Sequence, residues 1–426
     1  MKDNPLFQGA NRALLCATIA FGANFSVWVL YAVLALELQV SLSLNALQLG
    51  LLFASPMLTG ALLRIPAGFL ADRFNPKYLY GLQMLVVVPS LLLLPHMESY
   101  GSYLLLGLWI GISGTSFTFG ISYITDWFER NRQGTAMGIF GAGNAGAAIT
   151  LVVAPYIVDH WGWDPLGPAY AAGLLVVALL FFWLAPSRPR QVEDSRIERD
   201  RMSLKTIAGT LQIWRFSLYY YFVFGSFLAL ILWLPQYYVN AYKLSPNQAL
   251  AFTLFFAATS SMIRALGGWF SDRYGGRAVN WTVFWICLVC LFFLSYPPTS
   301  MTIHGVRSDV EIIIEVNVWV FTGLIFIIGL AQGFGRASVY KIINDYYPGH
   351  MGAVGGFVAA MGALGGCTLP IAFGFVVDLV GIYSACFMLL YGVLATCMIV
   401  MFIAHKTDRF KQRIHYAQTH NFLDSD

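Results

Sequence analysis

Long apolar segments follow one another along almost the whole of this 426-residue chain. The composition is 58% hydrophobic and 11% charged, with a mean hydropathy of +0.66. A helical membrane protein has such a composition and a soluble domain does not, because about 20 apolar residues are needed to cross a hydrocarbon core roughly 30 Å thick. The first eleven residues are polar, so we expect no signal peptide. The sequence therefore predicts an all-α, multi-pass membrane protein.

Twelve apolar segments are predicted to be transmembrane helices, and a polar segment at 187–206 divides them into six and six. We predict a first six-helix bundle over residues 1–186, a cytoplasmic linker over 187–211, a second bundle over 212–405 and a cytoplasmic tail over 406–426. The predicted spans are 12–36, 46–70, 78–96, 101–126, 134–158, 166–186, 212–238, 246–270, 280–297, 313–341, 352–377 and 383–405.

Basic residues accumulate in the loops on one side of the predicted membrane. That side carries the linker and both chain ends, whereas the opposite side carries only Lys243 and Arg307. Because loops rich in Lys and Arg stay in the cytoplasm, both termini are predicted to be cytoplasmic, with the chain in the plasma or inner membrane. The net charge of +4 is spread over these loops and does not indicate a nucleic-acid partner.

Two arginines, Arg64 and Arg264, lie deep inside apolar segments and are 200 positions apart. Each is followed eight residues later by an Asp-Arg pair at the predicted cytoplasmic end of its span, which identifies an internal repeat. At about 1.5 Å of rise per residue, each arginine lies roughly 12 Å inside the membrane, where a cation usually faces a cavity or a substrate path. We expect the two pairs to act as charged latches between helix ends; they are Asp72-Arg73 and Asp272-Arg273.

A second part of the repeat has an offset of 219. Asp159 recurs as Asp378, and Asp126-Trp-Phe recurs as Asp345-Tyr-Tyr. Glycines of span 5 recur in span 11, where they would let helices pack closely and rock during a conformational change. These glycines are Gly143 and Gly146 in span 5, and Gly362 and Gly365 in span 11. Two homologous six-helix halves are the architecture of the major facilitator superfamily.

The loops after spans 2 and 8 resemble the cytoplasmic loop motif of that superfamily, and the chain resembles its nitrate/nitrite porter family along nearly the whole length. The resemblance is carried by the two arginines, by the glycine-rich segments 141–146 and 362–366, and by Phe224-Gly-Ser-Phe227 in span 7. It implies a carrier that moves nitrate, nitrite or both by alternating access, without a cofactor and as a monomer.

Arginine suits the predicted cargo, because a planar guanidinium presents a fork of donors to a planar oxyanion. Two forks from opposite halves could clamp one anion. The alternative is an arginine paired with a carboxylate inside the membrane, but every Asp and Glu of the predicted spans falls at a span end. We therefore predict an anion site at Arg64 and Arg264, and a neutral or cationic substrate is disfavoured.

The family resemblance adds further residues around the anion. Asn144, whose counterpart in the repeat is Ala363, is expected to orient the anion or to make a hydrogen bond between helices. Tyr220 could donate its hydroxyl to the anion. The aromatic residues expected to wall the cavity are Phe117, Tyr220, Phe224 and Tyr340.

Span 10 departs from many members of the family because it carries Arg336 and Lys341. Arg336 could reach the depth of Arg264 and add positive charge to the site. Lys341 could form an ion pair with Asp345 one helical turn later, or it could respond to protons. These residues slightly favour proton-coupled uptake over nitrate/nitrite exchange, and both modes stay open.

Other classes of function have less support in the sequence. No cluster of His, Cys, Asp or Glu at ligand spacing occurs in the spans, so neither a metal site nor an enzyme is expected. Cys287-x-x-Cys290 has no second pair, and all six cysteines are expected to pack in the apolar interior. A sensor would need an output domain longer than the predicted tail. Within the same fold, a carrier of another small anion is the main alternative.

Overall fold

The computed structural model describes residues 9–125, 127–128, 130–187, 203–304, 308–347 and 351–420. Within these residues, eleven helical segments are long and apolar enough to cross a membrane, and two helices that meet at an angle of 41° form a twelfth crossing. The predicted all-helical membrane fold is therefore confirmed. The predicted linker cations, Arg307 and Asp126 lie outside the described residues, apart from Lys205.

The spans keep the numbers given to the predicted segments. Those of the first half are Ala10–Trp28 with Tyr31–Ser41 (span 1), Ala46–Leu62 with Arg64–Arg73 (span 2), Pro76–Leu93 with the 3-10 turn Leu94–His96 (span 3), Tyr100–Ile110 with Gly111–Thr115 and Ser116–Thr125 (span 4), Arg130–Gly141 with Ala142–Ala145 and Gly146–Trp161 (span 5) and Leu166–Leu184 (span 6). Those of the second half are Leu211–Tyr220 with the π-helical turn Tyr221–Gly225 and Ser226–Tyr242 (span 7), Pro246–Met262 with Arg264–Tyr274 (span 8), Gly276–Leu294 (span 9), Val318–Tyr346 (span 10), Met351–Val380 (span 11) and Ala385–His420 (span 12); a short helix, Leu204–Gly209, precedes span 7.

Several span ends differ from the sequence prediction by a few residues, and at two of them another element or a longer helix replaces what was predicted. Span 10 begins at Val318 and not at residue 313, because Val310–Ile314 forms strand β2, antiparallel to strand β1 at Thr299–Ile303. Both strands are rich in β-branched residues, which favour extended chain. Span 12 continues to His420, through residues that were predicted to be a tail.

The 200-residue repeat is visible in the backbone. The two non-glycine residues with positive φ in the described part of the chain are Ser43 and Lys243, at 49° and 56°. Two positions later, Asn45 and Ser245 begin spans 2 and 8, each with a capping box completed by a glutamine. Each span then breaks one residue before its arginine. Both halves therefore start this helix and interrupt it in the same way.

Two carboxylates connect the halves at the ends where spans 2 and 8 begin. Asp378 of span 11 accepts hydrogen bonds from the backbone N–H groups of Ala46, at 3.2 Å, and Leu47, at 2.8 Å. In the other half, Asp159 of span 5 accepts from the Asn247 side chain at 3.0 Å. The first N–H groups of a helix lack partners within it and carry positive partial charge, so a carboxylate is well placed there. The repeat thus connects span 2 to span 11 and span 8 to span 5.

Removal of the Asp378 carboxylate takes an acceptor from the first amides of span 2. We expect Asp378→Ala to lower the free energy of unfolding by about 0.5–2 kcal/mol, as for the loss of a helix N-cap. The measurement is thermal unfolding of the purified protein in detergent. Asp164→Ala, which removes an exposed carboxylate from the loop after span 5, is the control. An unchanged transition in Asp378→Ala, or an equal decrease in the control, would contradict this cap.

Candidate functional site

Irregular turns within the spans position the predicted site residues. Arg64 and Arg264 are the first residues after the breaks in spans 2 and 8. Asn144 lies in the 3-10 turn of span 5, and Tyr220 is the last residue before the π-helical turn of span 7, which contains Phe224. Such irregular turns change the direction of neighbouring side chains and are frequent at functional sites. All of these residues lie near the middle of their spans.

Arg64 is 2% exposed and reaches from the first half to the second. Its Nε donates to the carbonyl oxygen of Gly114 at 3.1 Å, and its Nη1 donates to the carbonyl oxygen of Ala359, in span 11, at 2.8 Å. Its Nη2 is buried and has no hydrogen-bond partner. The guanidinium therefore keeps one buried nitrogen, with its two N–H donors, that has no acceptor among the described residues.

Aromatic rings surround the Arg64 guanidinium. Its Cζ lies 5.1 Å from the ring centroid of Trp28, 5.4 Å from that of Phe117 and 5.7 Å from that of Phe224. Arg264 is 4% exposed, and its Cζ lies 6.0 Å from the same Phe117 ring. Cation–π attraction offsets part of the cost of removing these charges from water. Phe117 thus brings together the two arginines of the repeat.

Arg264 contacts span 5 of the first half. A Cβ at Gly141 would lie 2.7 Å from the Arg264 Cζ, so the guanidinium occupies the space that any larger residue would need. Two guanidinium donors face the Asn144 amide, and the amide oxygen is the atom that can accept from them. With the amide oxygen turned towards the two guanidinium groups, it accepts from Nη1 of Arg264 at 3.0 Å and from Nη1 of Arg336 at 2.9 Å.

Arg336 is fully buried, and each of its guanidinium nitrogens has an acceptor. Besides the bond to Asn144, its Nη2 donates to the backbone carbonyl oxygen of Ser260 and, at 2.7 Å, to the Ser260 hydroxyl. Its Nε donates to the carbonyl oxygen of Gln332 at 3.4 Å. The ring centroid of Phe227 lies 3.8 Å from its Cζ. Arg336 therefore reaches the depth of Arg264, and each of its nitrogens donates to an acceptor within the protein.

The predicted aromatic residues lie together beside the arginines. Tyr220 stacks on Phe224 with 5.1 Å between ring centroids, and it meets Tyr340 edge-on at 5.2 Å. Tyr340 lies 6.3 Å from Phe117 and donates to the carbonyl oxygen of Gly355 at 3.1 Å. The Tyr220 hydroxyl is buried without a hydrogen-bond partner, as is Nη2 of Arg64.

The remaining predicted charges lie at the end of the bundle that carries the Asp-Arg loops. Lys341 forms ion pairs with Asp272 at 3.2 Å and with Asp345 at 3.3 Å. Asp272 follows Arg264 by eight residues, which is about 12 Å along a helix. Lys341 is therefore separate from the arginine cluster, and both of its ion-pair partners lie at the end of the bundle. Arg73 and Arg273 are exposed, and the side chain of Asp72 lies outside the described part of the structure.

The predicted gating glycines pack spans 5 and 11 against spans 1 and 7. A Cβ at Gly143 would lie 3.0 Å from the carbonyl oxygen of Thr18, and one at Gly146 would lie 2.8 Å from the backbone nitrogen of Ser26. In the second half, Gly362 packs on the Tyr220 ring. A Cβ at Gly365 would lie 2.9 Å from the Cα of Gly225. The glycines therefore permit close backbone contact.

No Asp, Glu or His occurs among the buried residues of the described chain. The three guanidinium groups consequently have no buried carboxylate near them in that part of the protein. Sequence reasoning missed Trp28 and Ser260 as neighbours of these groups. A tryptophan in an apolar span is unremarkable, and the carbonyl oxygens of Ser260 and Ala359 carry no signal because every residue has one.

Comparisons with known proteins agree with this architecture. Residues 14–310 match the Major Facilitator Superfamily. A solved structure of a bacterial homologue of the human lysosomal transporter Spinster, 17% identical, has the same fold, with a TM-score of 0.70 over 95% of this chain and 98% of that chain. The chain belongs to the major facilitator superfamily, a family of membrane transporters and not of enzymes.

Within that superfamily, the predicted membership of the nitrate/nitrite porter family is confirmed. The chain is 33% identical to the "Probable nitrate/nitrite antiporter NarK1" of Thermus thermophilus, over 89% of this chain and 88% of the relative. It is 27% identical to the "Nitrite extrusion protein" of Bacillus subtilis (strain 168), over 92% and 94%. It is 26% identical to the "Probable nitrate transporter NarT" of Staphylococcus haemolyticus (strain JCSC1435), over 90% and 94%.

The contact between Gly365 and Gly225 leaves no room for a side chain. We expect Gly365→Ala to lower the free energy of unfolding by about 1–3 kcal/mol, because two backbone segments must separate. The measurement is again thermal unfolding in detergent. Gly356→Ala, in the same helix and with nothing within 4 Å of its Cβ, is the matched control and should be neutral or slightly stabilising. Equal transition temperatures for the two variants would show that this contact does not restrict span 11.

Proposed function

We propose that this protein carries nitrate and nitrite across the membrane by alternating access, with the anion bound between Arg64 and Arg264. The observation that carries the proposal is the position of these two arginines, one from each half, at 5.4 and 6.0 Å from the same Phe117 ring. They have no buried acidic neighbour among the described residues. The names of the relatives supply the identity of the anion.

An oxyanion would complete the hydrogen bonding of this cluster. Nη2 of Arg64 and the Tyr220 hydroxyl are buried donors without an acceptor in the protein, and Phe224 contacts both side chains. Nitrate and nitrite are planar, and their oxygens match the planar donors of a guanidinium. The same anion would supply the counter-charge that the protein itself does not provide.

Arg336 and Asn144 act as positioning residues in this proposal. All three nitrogens of Arg336 donate to acceptors of the protein, and these bonds use four of its five N–H donors, so Arg336 is less available to the anion than Arg64. Its contribution is to hold the Asn144 oxygen where Arg264 can donate to it, and to add positive charge nearby. Arg264 can then exchange its bond to Asn144 for a bond to the anion at small cost.

The arginines also connect binding to movement of the halves. Arg64 contacts Ala359 in span 11, and Arg264 contacts Gly141 and Asn144 in span 5, so each reaches across to the other half. Without an anion, the cations repel one another. The carrier should therefore change conformation slowly unless an anion is bound, as obligatory exchange requires.

Coupling to protons is the alternative mode. The sequence slightly favoured it because of Lys341, yet Lys341 is held by Asp272 and Asp345 at the end of the bundle. We therefore propose exchange of nitrate against nitrite.

From the basic loops we further propose that both termini face the cytoplasm and that residues 1–186 and 212–405 act as the two halves of a monomer.

Replacement of either repeat arginine by lysine tests the anion clamp. A point charge cannot reproduce the guanidinium fork, so we expect Arg64→Lys and Arg264→Lys each to weaken nitrate binding by about 10- to 100-fold, which corresponds to about 1.5–3 kcal/mol for a charged hydrogen bond. The measurement is isothermal titration of the purified protein. Arg12→Lys, at an exposed arginine at the start of span 1, should bind like the wild type. Affinity within twofold of the wild type in both site variants would exclude the clamp.

Transport in proteoliposomes tests the function itself. We expect nitrate uptake only when nitrite or nitrate is present inside, and no uptake driven by a pH gradient into vesicles without internal anion. Vesicles without protein are the control. Uptake driven by the pH gradient alone would replace exchange with proton-coupled transport. If no nitrate moves in either arrangement, the carrier has another small anion as its substrate.

A further inference from the structure

A second basic cavity lies within the second half, apart from the arginine cluster. Its volume is about 350 Å³, and it is lined by the first turns of spans 7 and 9 and by the last membrane turns of spans 10 and 12. Arg215, Arg277 and His405 contribute basic side chains, and no lining residue is acidic. It therefore opens at the end of the bundle that carries the Asp-Arg loops, at the depth of a membrane surface.

The walls of this cavity are apolar and continue onto the outer surface of the bundle. Trp281, Met401 and Phe402 line it, and the side chain of Phe402 is 49% exposed. Tryptophan is enriched where membrane meets water, because one side of its ring is apolar and its N–H is polar. Apolar walls contribute nothing to the binding of a small soluble anion, whereas the acyl chain of a lipid would bury them.

Aromatic contacts hold both arginines in place. The Cζ of Arg215 lies 5.5 Å from the ring centroid of Phe216, and the Cζ of Arg277 lies 5.1 Å from that of Tyr346. A guanidinium fixed in this way loses less freedom when it binds a phosphate. Both residues come from turns at the start of their spans and face one cavity.

The equivalent positions of the first half do not repeat these side chains, so the fold does not require them. Lys77 is buried there, and the ring of Phe182 covers the space beside Gly81. The residues 200 positions before Arg215, Arg277 and Trp281 are Leu15, Lys77 and Gly81.

We propose that this cavity binds an anionic phospholipid, with the phosphate between Arg215 and Arg277 and an acyl chain along Trp281, Met401 and Phe402. Basic pockets between helices at the membrane surface bind anionic head groups in this way. Since all the lining residues belong to the second half, the lipid stays bound when the halves move and stabilises that half. The proposal is independent of the transported anion.

Lipid retention tests the proposal. Wild-type protein in nanodiscs of phosphatidylcholine and phosphatidylglycerol is released into the gas phase, and bound lipids are counted by native mass spectrometry. We expect the double variant Arg215→Gln/Arg277→Gln to retain at least fivefold less phosphatidylglycerol than the wild type. The control Arg12→Gln/Lys205→Gln removes two exposed charges at the same end and should retain it fully. Equal retention by the two double variants overturns the proposal.

A second measurement uses the wild-type protein alone and does not depend on the folding of a variant. A photoactivatable phosphatidylglycerol in vesicles should label peptides that contain Trp281 or Met401 and Phe402. Excess phosphatidylglycerol should suppress this labelling, and glycerol 3-phosphate at the same concentration should not. Suppression by glycerol 3-phosphate would identify a site for soluble phosphates, and labelling elsewhere would exclude a lipid at this cavity.

Discussion

The burial of three guanidinium groups, without a buried carboxylate in the part of the chain that the structure describes, is the constraint on which the centre of this protein depends. Each buried charge costs several kcal/mol unless polar groups replace the lost water. Backbone carbonyl oxygens supply many of those groups. One comes from an irregular turn, since Gly114, in the 3-10 turn of span 4, accepts from Arg64. Others come from regular helices: Ala359 of span 11 also accepts from Arg64. Ser260, in the helix before the break of span 8, accepts from Arg336. The interrupted spans thus supply part of the acceptors for these charges.

The repeat places the contacts of the proposed anion site and the contacts at the ends of the spans on the same pairs of helices. Span 2 meets span 11 through Arg64 and Ala359 in the middle and through Asp378 at one end. Span 8 meets span 5 through Arg264 and Asn144 in the middle and through Asp159 and Asn247 at the end. A ligand that redirects either arginine therefore acts on the interface that must open, which connects occupancy of the site to movement of the halves.

The sequence predicted the features that depend on local pattern. Apolar runs predicted the spans, because length and hydropathy determine which segments can cross a bilayer. The repeated arginines and the glycine-rich segments predicted the family. The depth of Arg64 and Arg264 followed from helix geometry and their distance from the Asp-Arg pairs. The tertiary partners of the buried side chains could not be predicted from the sequence. Arg336 donates to backbone carbonyl oxygens and to the Asn144 amide of the other half, which no sequence pattern indicates. The segment Val310–Ile314 is apolar enough for a helix but forms a strand. Lys341 had two candidate roles, and only folding brings Asp272 beside it.

The repeat places the helices of the two halves at equivalent positions, but the side chains at several of these positions differ in charge and polarity. The counterpart of Asn144 is Ala363, and the counterpart of Arg336, 219 positions earlier, is Phe117. Arg64 consequently lies against an aromatic ring and has one nitrogen without a hydrogen-bond partner, whereas Arg264 shares an amide oxygen with a second guanidinium. Positive charge is concentrated on the side of the second half, which contributes Arg264 and Arg336. An anion bound between the halves, as proposed, would therefore be held mainly by the second half, with Tyr220 of that half and Arg64 of the first half as further donors. Arg64 would then be the contact through which the first half responds to the anion.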